Sequence, residues 1–175
     1  MYCTTPILNF LLFPFSTSHV NNTDIYNKIF SLNNHIENID ISFCLEYKSI
    51  LKSIEKNHKI ANPSIQTIYD ILVTAIQLST FSFRFPETLN SSIRRMAVNL
   101  NLYPRLHFYN LGMVPLKFTD INVAHQKAYT EDQICSQLFS NDNNLTLDNV
   151  EKGINLCSSL HFFSKINYFE IEKSI

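Results

Sequence analysis

From residue 7 to residue 13 the chain is apolar at almost every position. A strand with one wet face alternates, so an unbroken run predicts a strand covered on both faces, as in a parallel sheet. Residues 41–45 read the same way and supply one parallel neighbour. Between the two runs, Thr23-Asp24 can cap a helix whose apolar face is Tyr26, Ile29 and Phe30, extending to Ile36. A lysine-rich helix follows over about 47–57. Asn62-Pro63 then offers an N-cap and a first-turn proline. The helix they open carries Ile65, Ile68, Tyr69, Leu72, Ala75 and Ile76 on one stripe, the strongest helical pattern in the chain.

The second half is less regular. Residues 89–100 predict a short helix with Leu89, Ile93, Met96, Ala97 and Leu100 turned inward. Leu106 and Phe108 alternate with Arg105, His107 and Tyr109, the pattern of a strand with one buried face. Thr130 and Gln133 make a capping box ahead of Ile134 and Leu138. A further strand is expected over 154–163, and Asn167 with Glu170 starts a last helix. The polar stretch 140–149 reads as a linker, and no internal repeat is found.

Composition narrows the possibilities. With 175 residues, 45% hydrophobic and 13% aromatic, the chain can pack a core as one domain or two small ones. A net charge of −1 argues against electrostatic binding to nucleic acid. Cys3, Cys44, Cys135 and Cys157 are scattered, with no CxxC and no histidine at ligand spacing. Neither a disulfide framework nor a zinc site is expected from them, and they read as buried, reduced thiols. The apolar run near the start contains Pro14, lacks a basic flank and is too short to span a bilayer. A cytoplasmic protein without a membrane partner is the expectation. Cys135 with His161, and the carboxylate pairs Glu131-Asp132 and Glu170/Glu172, sit in no catalytic motif. No catalytic or metal-ligating residue is assigned.

Residues 83–108 read FRFPETLNSSIRRMAVNLNLYPRLHF. The frame FRFP-x-x-LN, followed by an Arg-Arg pair, AVN and PRLHF, resembles β-tubulin, where a loop, a short helix and a strand join the two main domains. The register runs ungapped from Tyr2 to about Leu116, through Pro14, Tyr26-Asn27, Asp40, Cys44, Pro63, Asn90, Asn99 and the Gly112 to Leu116 turn. After a loop with two extra residues it resumes through Thr130, Gln137, Phe139, Asn143, Gly153, Leu156, Phe162 and Glu170. Arg95 stands where the α type carries a glutamate that helps hydrolyse the neighbouring subunit's nucleotide. A cation there, with PRLHF, is the β-type choice.

The resemblance implies an α/β fold. Residues 1–82 would be the last parallel strands and core helix (about 63–80) of a Rossmann-like GTPase domain. Residues 83–175 would begin the two-layer α+β sandwich of the second, intermediate domain. It also implies a GTP site, with Asp24, Tyr47, Ile65 and Tyr69 at nucleotide-contact positions. Tyr47 and Tyr69 replace asparagines that hydrogen-bond guanine, Ile65 replaces a stacking tyrosine, and Asp24 replaces a glutamate near the ribose. Arg94, Arg95, Asn99 and Asn101 fall at the longitudinal contact between subunits. Phe118, Asp120, Asn122, His125 and Lys127 fall in the loop at the lateral contact. His107 in PRLHF matches a structural histidine, and a satisfied core hydrogen bond is its expected role.

Phosphate binding needs glycines that let backbone N–H groups approach the anion. This chain has only Gly112 and Gly153 and no glycine-rich loop, so it is not expected to be catalytic alone. Two readings follow. One is a tubulin-like structural subunit of microtubules, cytoplasmic and cytoskeletal, binding GTP in the intact family member and pairing with an α-tubulin-like partner. The other is a truncated or degenerate tubulin product without GTP binding or polymerisation, at most a module that binds tubulin or its chaperones.

Overall fold

A computed structural model describes residues 5–13, 22–60, 62–85, 90–103, 105–116, 130–163 and 171. Strand β1 (Leu8–Phe13) leads through helix α1 (Asn22–Asn38) to strand β2 (Ile41–Glu46), which pairs parallel with β1 from Leu8↔Ile41 to Phe13↔Glu46. This is the β–α–β unit that the two apolar runs predict. A third strand, β3 (Phe108–Asn110), adds parallel to β2, giving the order β1-β2-β3. The architecture is therefore α/β, a three-stranded parallel sheet with several helices, consistent with part of a Rossmann-like GTPase domain.

Helix α2 (Tyr47–His58) starts directly at the end of β2, and α3 (Ile65–Ser79) follows. One core lies under them: Leu45, Ile50, Ile54, Ile68, Ile71, Ala75, Met113, Leu116 and Leu145 are all buried together. A second core sits where helix α5 (Ile93–Leu100) meets the sheet, with Met96 and Leu100 against Ile41 and Phe43. Helix α4 (Phe81–Arg84) is a single turn, and α6 (Glu131–Leu138) opens on the expected Thr130/Gln133 capping box.

Several details depart from the sequence expectations. The N-cap of α3 is Ser64, whose hydroxyl accepts the Thr67 N–H at 3.2 Å, so the helix starts after Pro63 rather than at it. Its stripe splits: Ile68 and Ala75 are buried, joined by Ile71 from outside the stripe, while Ile65 and Tyr69 are exposed. Helix α5 starts at Ile93 because Ser92 caps the Arg95 N–H at 3.3 Å. Leu106 is exposed, since positive φ at Arg105 turns the backbone before the strand forms.

In α1 the face turned inward is Lys28, Leu32, His35 and Ile36, each half-buried, whereas the expected core residues Tyr26, Ile29 and Phe30 are exposed. The stretch 140–149 is no linker, because Asn143, Asn144, Leu145 and Thr146 are buried. The strand expected over 154–163 does not form, and Ile154 is 89% exposed. Cys44 and Cys135 are buried free thiols, but Cys157 is exposed. Cys3, Pro14, Leu89, Asn167 and Glu170 lie outside the described residues.

Candidate functional site

In an open parallel sheet the carboxyl ends of the strands form the crevice where ligands bind. Here those ends are Glu46 on β2 and Asn110 on β3. The chain's own segment from Asn143 to Asp148 lies across them. Leu145 N–H donates to the Leu111 carbonyl at 2.8 Å, and its own carbonyl accepts the Glu46 N–H at 2.8 Å. The Glu46 carboxylate accepts the Leu147 N–H at 2.8 Å, and the Asn110 amide donates to Asp148 at 3.0 Å. Helix α2 holds the segment from behind through the Ser49 hydroxyl, between the carbonyls of Asn144 (2.8 Å) and Thr146 (2.9 Å). Lys56 pairs with Asp142 at the rim.

Burial pushes the Cys44 thiol up to about 11, with the carboxylates of Asp148 and then Glu46 adding to the shift. A thiol held protonated is neither a nucleophile nor a metal ligand at neutral pH. Among the described residues no group of three or more His, Cys, Asp or Glu side chains could hold a metal ion. The amide nitrogen of Asn144 and the hydroxyl of Thr146 are buried without a partner there.

The four positions that the resemblance assigns to the nucleotide do not share one buried pocket. Asp24 is exposed in the first turn of α1. Tyr47 is the half-buried first residue of α2 and packs against the first core. Ile65 and Tyr69 lie one turn apart on α3, 65% and 55% exposed. An asparagine at Tyr47 or Tyr69 could read a base edge through its amide, whereas a phenol offers only one hydroxyl.

The positions that the resemblance assigns to subunit contacts divide. Arg94 and Arg95 are exposed on α5, with the Arg95 guanidinium donating to Ser91 at 3.1 Å. Asn99 instead donates to Asn90 at 2.8 Å, and Asn101 donates to the Asp40 carbonyl at 3.0 Å while accepting from the Tyr109 hydroxyl. Both asparagines thus make hydrogen bonds within the chain. Phe118, Asp120, Asn122, His125 and Lys127 lie outside the described residues. His107 is buried with Nε2 3.0 Å from the His35 carbonyl, which ties α1 to β3 as expected of a structural histidine.

A second polar network was not anticipated from sequence. Asn90 donates to the Ser159 hydroxyl at 3.2 Å, which stands 3.2 Å from His161 Nε2. Cys157 Sγ donates to the Asn99 carbonyl at 3.5 Å. Burial lowers the His161 imidazole from its ordinary value, and burial followed by Cys157 raises the Tyr109 hydroxyl to about 12. Beside the network, Phe139, Asn155, Leu156, Cys157 and Ser158 line an open cavity of about 470 Å³. No helix of the described residues is long and apolar enough to cross a membrane.

Fold and site together define an α/β layer in which the ends of β2 and β3 are covered by the chain itself. No family model matches the chain. It is similar to a tubulin beta chain of Aspergillus fumigatus, 31% identical over 147 residues, covering 84% of this chain and 32% of that protein. It is 31% identical over 153 residues to a tubulin beta-2 chain of Geotrichum candidum, covering 87% and 33%. To a tubulin beta chain of Encephalitozoon intestinalis it is 28% identical over 150 residues, covering 86% and 34%. These likenesses support the tubulin family. The chain spans about a third of the length of these curated relatives.

Proposed function

We propose that this chain is a β-type segment of a tubulin-like cytoskeletal subunit of microtubules. The observation that carries the reading is similarity to β-tubulins along about 85% of the chain, joined to a parallel β–α–β unit of an α/β fold. On this reading residues 1–82 close a GTPase domain and 83–175 open the intermediate domain. The intact subunit binds GTP and assembles with an α-tubulin-like partner in the cytoplasm, and Arg94 and Arg95 face the neighbouring subunit. Phosphate binding rests on parts of the subunit that this chain does not contain. The test is fractionation of source cells, with an antibody raised to residues 117–129. Pelleting of the antigen with microtubules supports the reading, and a band near 20 kDa confined to the soluble fraction opposes it.

Two observations favour the second reading, a degenerate product without GTP binding or polymer role. Tyr47, Ile65 and Tyr69 have lost the groups that read guanine, and Asn99 and Asn101 are engaged internally. Such a product would act at most as a module binding tubulin or its chaperones.

A further inference from the structure

Helix α1 keeps its most apolar side in water. Ile25, Tyr26, Ile29 and Phe30 are 45%, 63%, 56% and 65% exposed. At 3.6 residues per turn these four fall on one side, flanked a turn away at each end by Asn22 and Asn33, both exposed. The pattern Asn-x-x-Ile-Tyr-x-x-Ile-Phe-x-x-Asn has the same spacing from either end. Its centre lies between Asn27 and Lys28, and Lys28 points to the sheet side.

A two-fold interface brings the same patch of two subunits together, residue i of one against j of the other and j against i. Laid antiparallel about that centre, two copies of α1 put Ile25 on Phe30 and Tyr26 on Ile29, an aliphatic group against an aromatic one each time. Asn22 meets Asn33 at both ends, and each carboxamide both donates and accepts. The stripe itself carries no charge to desolvate. We propose that α1 is a self-association surface whose occupant is the α1 helix of a second copy of this chain.

The area sets the strength. Half-exposed side chains of this size offer roughly 100 Å² each, so the two faces together bury about 800 Å², below the span of stable interfaces. The dimer is therefore weak and concentration-dependent. This inference stands apart from the tubulin reading, since it uses only the face of α1.

The test uses the full chain in sedimentation velocity over a wide concentration range, with thiol cross-linking beside it. A shift from monomer to dimer is expected as concentration rises. It should be lost in Phe30→Glu and kept in Ile65→Glu, an equally exposed site on α3. Asn22→Cys mixed with Asn33→Cys should give a mixed disulfide. Neither variant alone should cross-link above the wild-type background, because like positions lie about 16 Å apart along the paired axis. A monomer at every concentration overturns the proposal and leaves the face to a different polypeptide. Cross-linking of Asn22→Cys to itself, or dimerisation that Phe30→Glu leaves intact, overturns it as well.

Discussion

The Ser49 hydroxyl stands between the carbonyls of Asn144 and Thr146, 2.8 and 2.9 Å away, and divides one proton between them. It sits on α2, nearly a hundred residues from its partners in sequence, and it is buried. Removing it leaves two buried acceptors with less than a full partner, because Ser53 reaches only the Asn144 carbonyl, at 3.4 Å. Ser49→Ala is expected to destabilise the chain by about 1–3 kcal/mol. Urea denaturation checks this through a lowered midpoint at unchanged slope.

Leu145 and Leu147 separate packing from exposure within the same segment. Leu145 is fully buried in the first core, whereas Leu147 is 50% exposed. Leu145→Ala is expected to cost about 2–5 kcal/mol, and Leu147→Ala about 0.5 kcal/mol or less. Equal and small effects in thermal or urea melts would mean that the segment is a loose linker after all.

Stability should depend on pH at both ends of the scale. The Cys44 thiol is raised from 9.0 to about 11 by burial and then by Asp148 and Glu46, and the Tyr109 hydroxyl from 10.0 to about 12 by burial and then Cys157. The unfolded chain gives up these protons first, so stability is full below about pH 9 and falls between 9 and 12. His161 is lowered from 6.5 by burial, so the unfolded chain takes its proton first and stability falls as pH drops below 6.5. Urea midpoints against pH should show a plateau between these limbs. His161→Gln should flatten the acid limb, and Cys44→Ala should shrink the alkaline one.

The positions that the resemblance assigns to the nucleotide yield a sharper expectation. Ile65 and Tyr69 are exposed, so Ile65→Ala and Tyr69→Ala should each leave stability within about 0.5 kcal/mol. With no glycine-rich loop and the strand ends covered by the segment from Asn143 to Asp148, the chain alone is expected not to retain GTP on filter binding. Stoichiometric retention would contradict the account of the closed crevice.

What the sequence made legible follows from which forces are local. The two apolar runs announced β1 and β2, and the Thr130/Gln133 box announced α6, because strand burial and capping are written in neighbouring residues. The strap across the strand ends was not legible. Its hold comes from Ser49, Glu46, Asn110 and backbone groups far away in sequence, and a stretch such as NDNNLTLDN carries no period that shows it. For α1 the sequence shows the apolar stripe but not its exposure, since periodicity gives a face but not what covers it. The hydrogen bonds of Asn99 and Asn101 were not legible for a similar reason: an amide on a helix looks the same whether it meets solvent or the Asp40 carbonyl.

The most direct test of the tubulin-like reading is co-sedimentation of the full chain with purified microtubules, for wild type and for an Arg94→Glu/Arg95→Glu variant. Both arginines are exposed on α5, so the variant should keep its helical circular dichroism. The account predicts that the wild-type chain enters the pellet saturably and that the double charge reversal cuts the bound fraction several-fold. A wild-type chain that is folded yet stays in the supernatant at every microtubule concentration would contradict it.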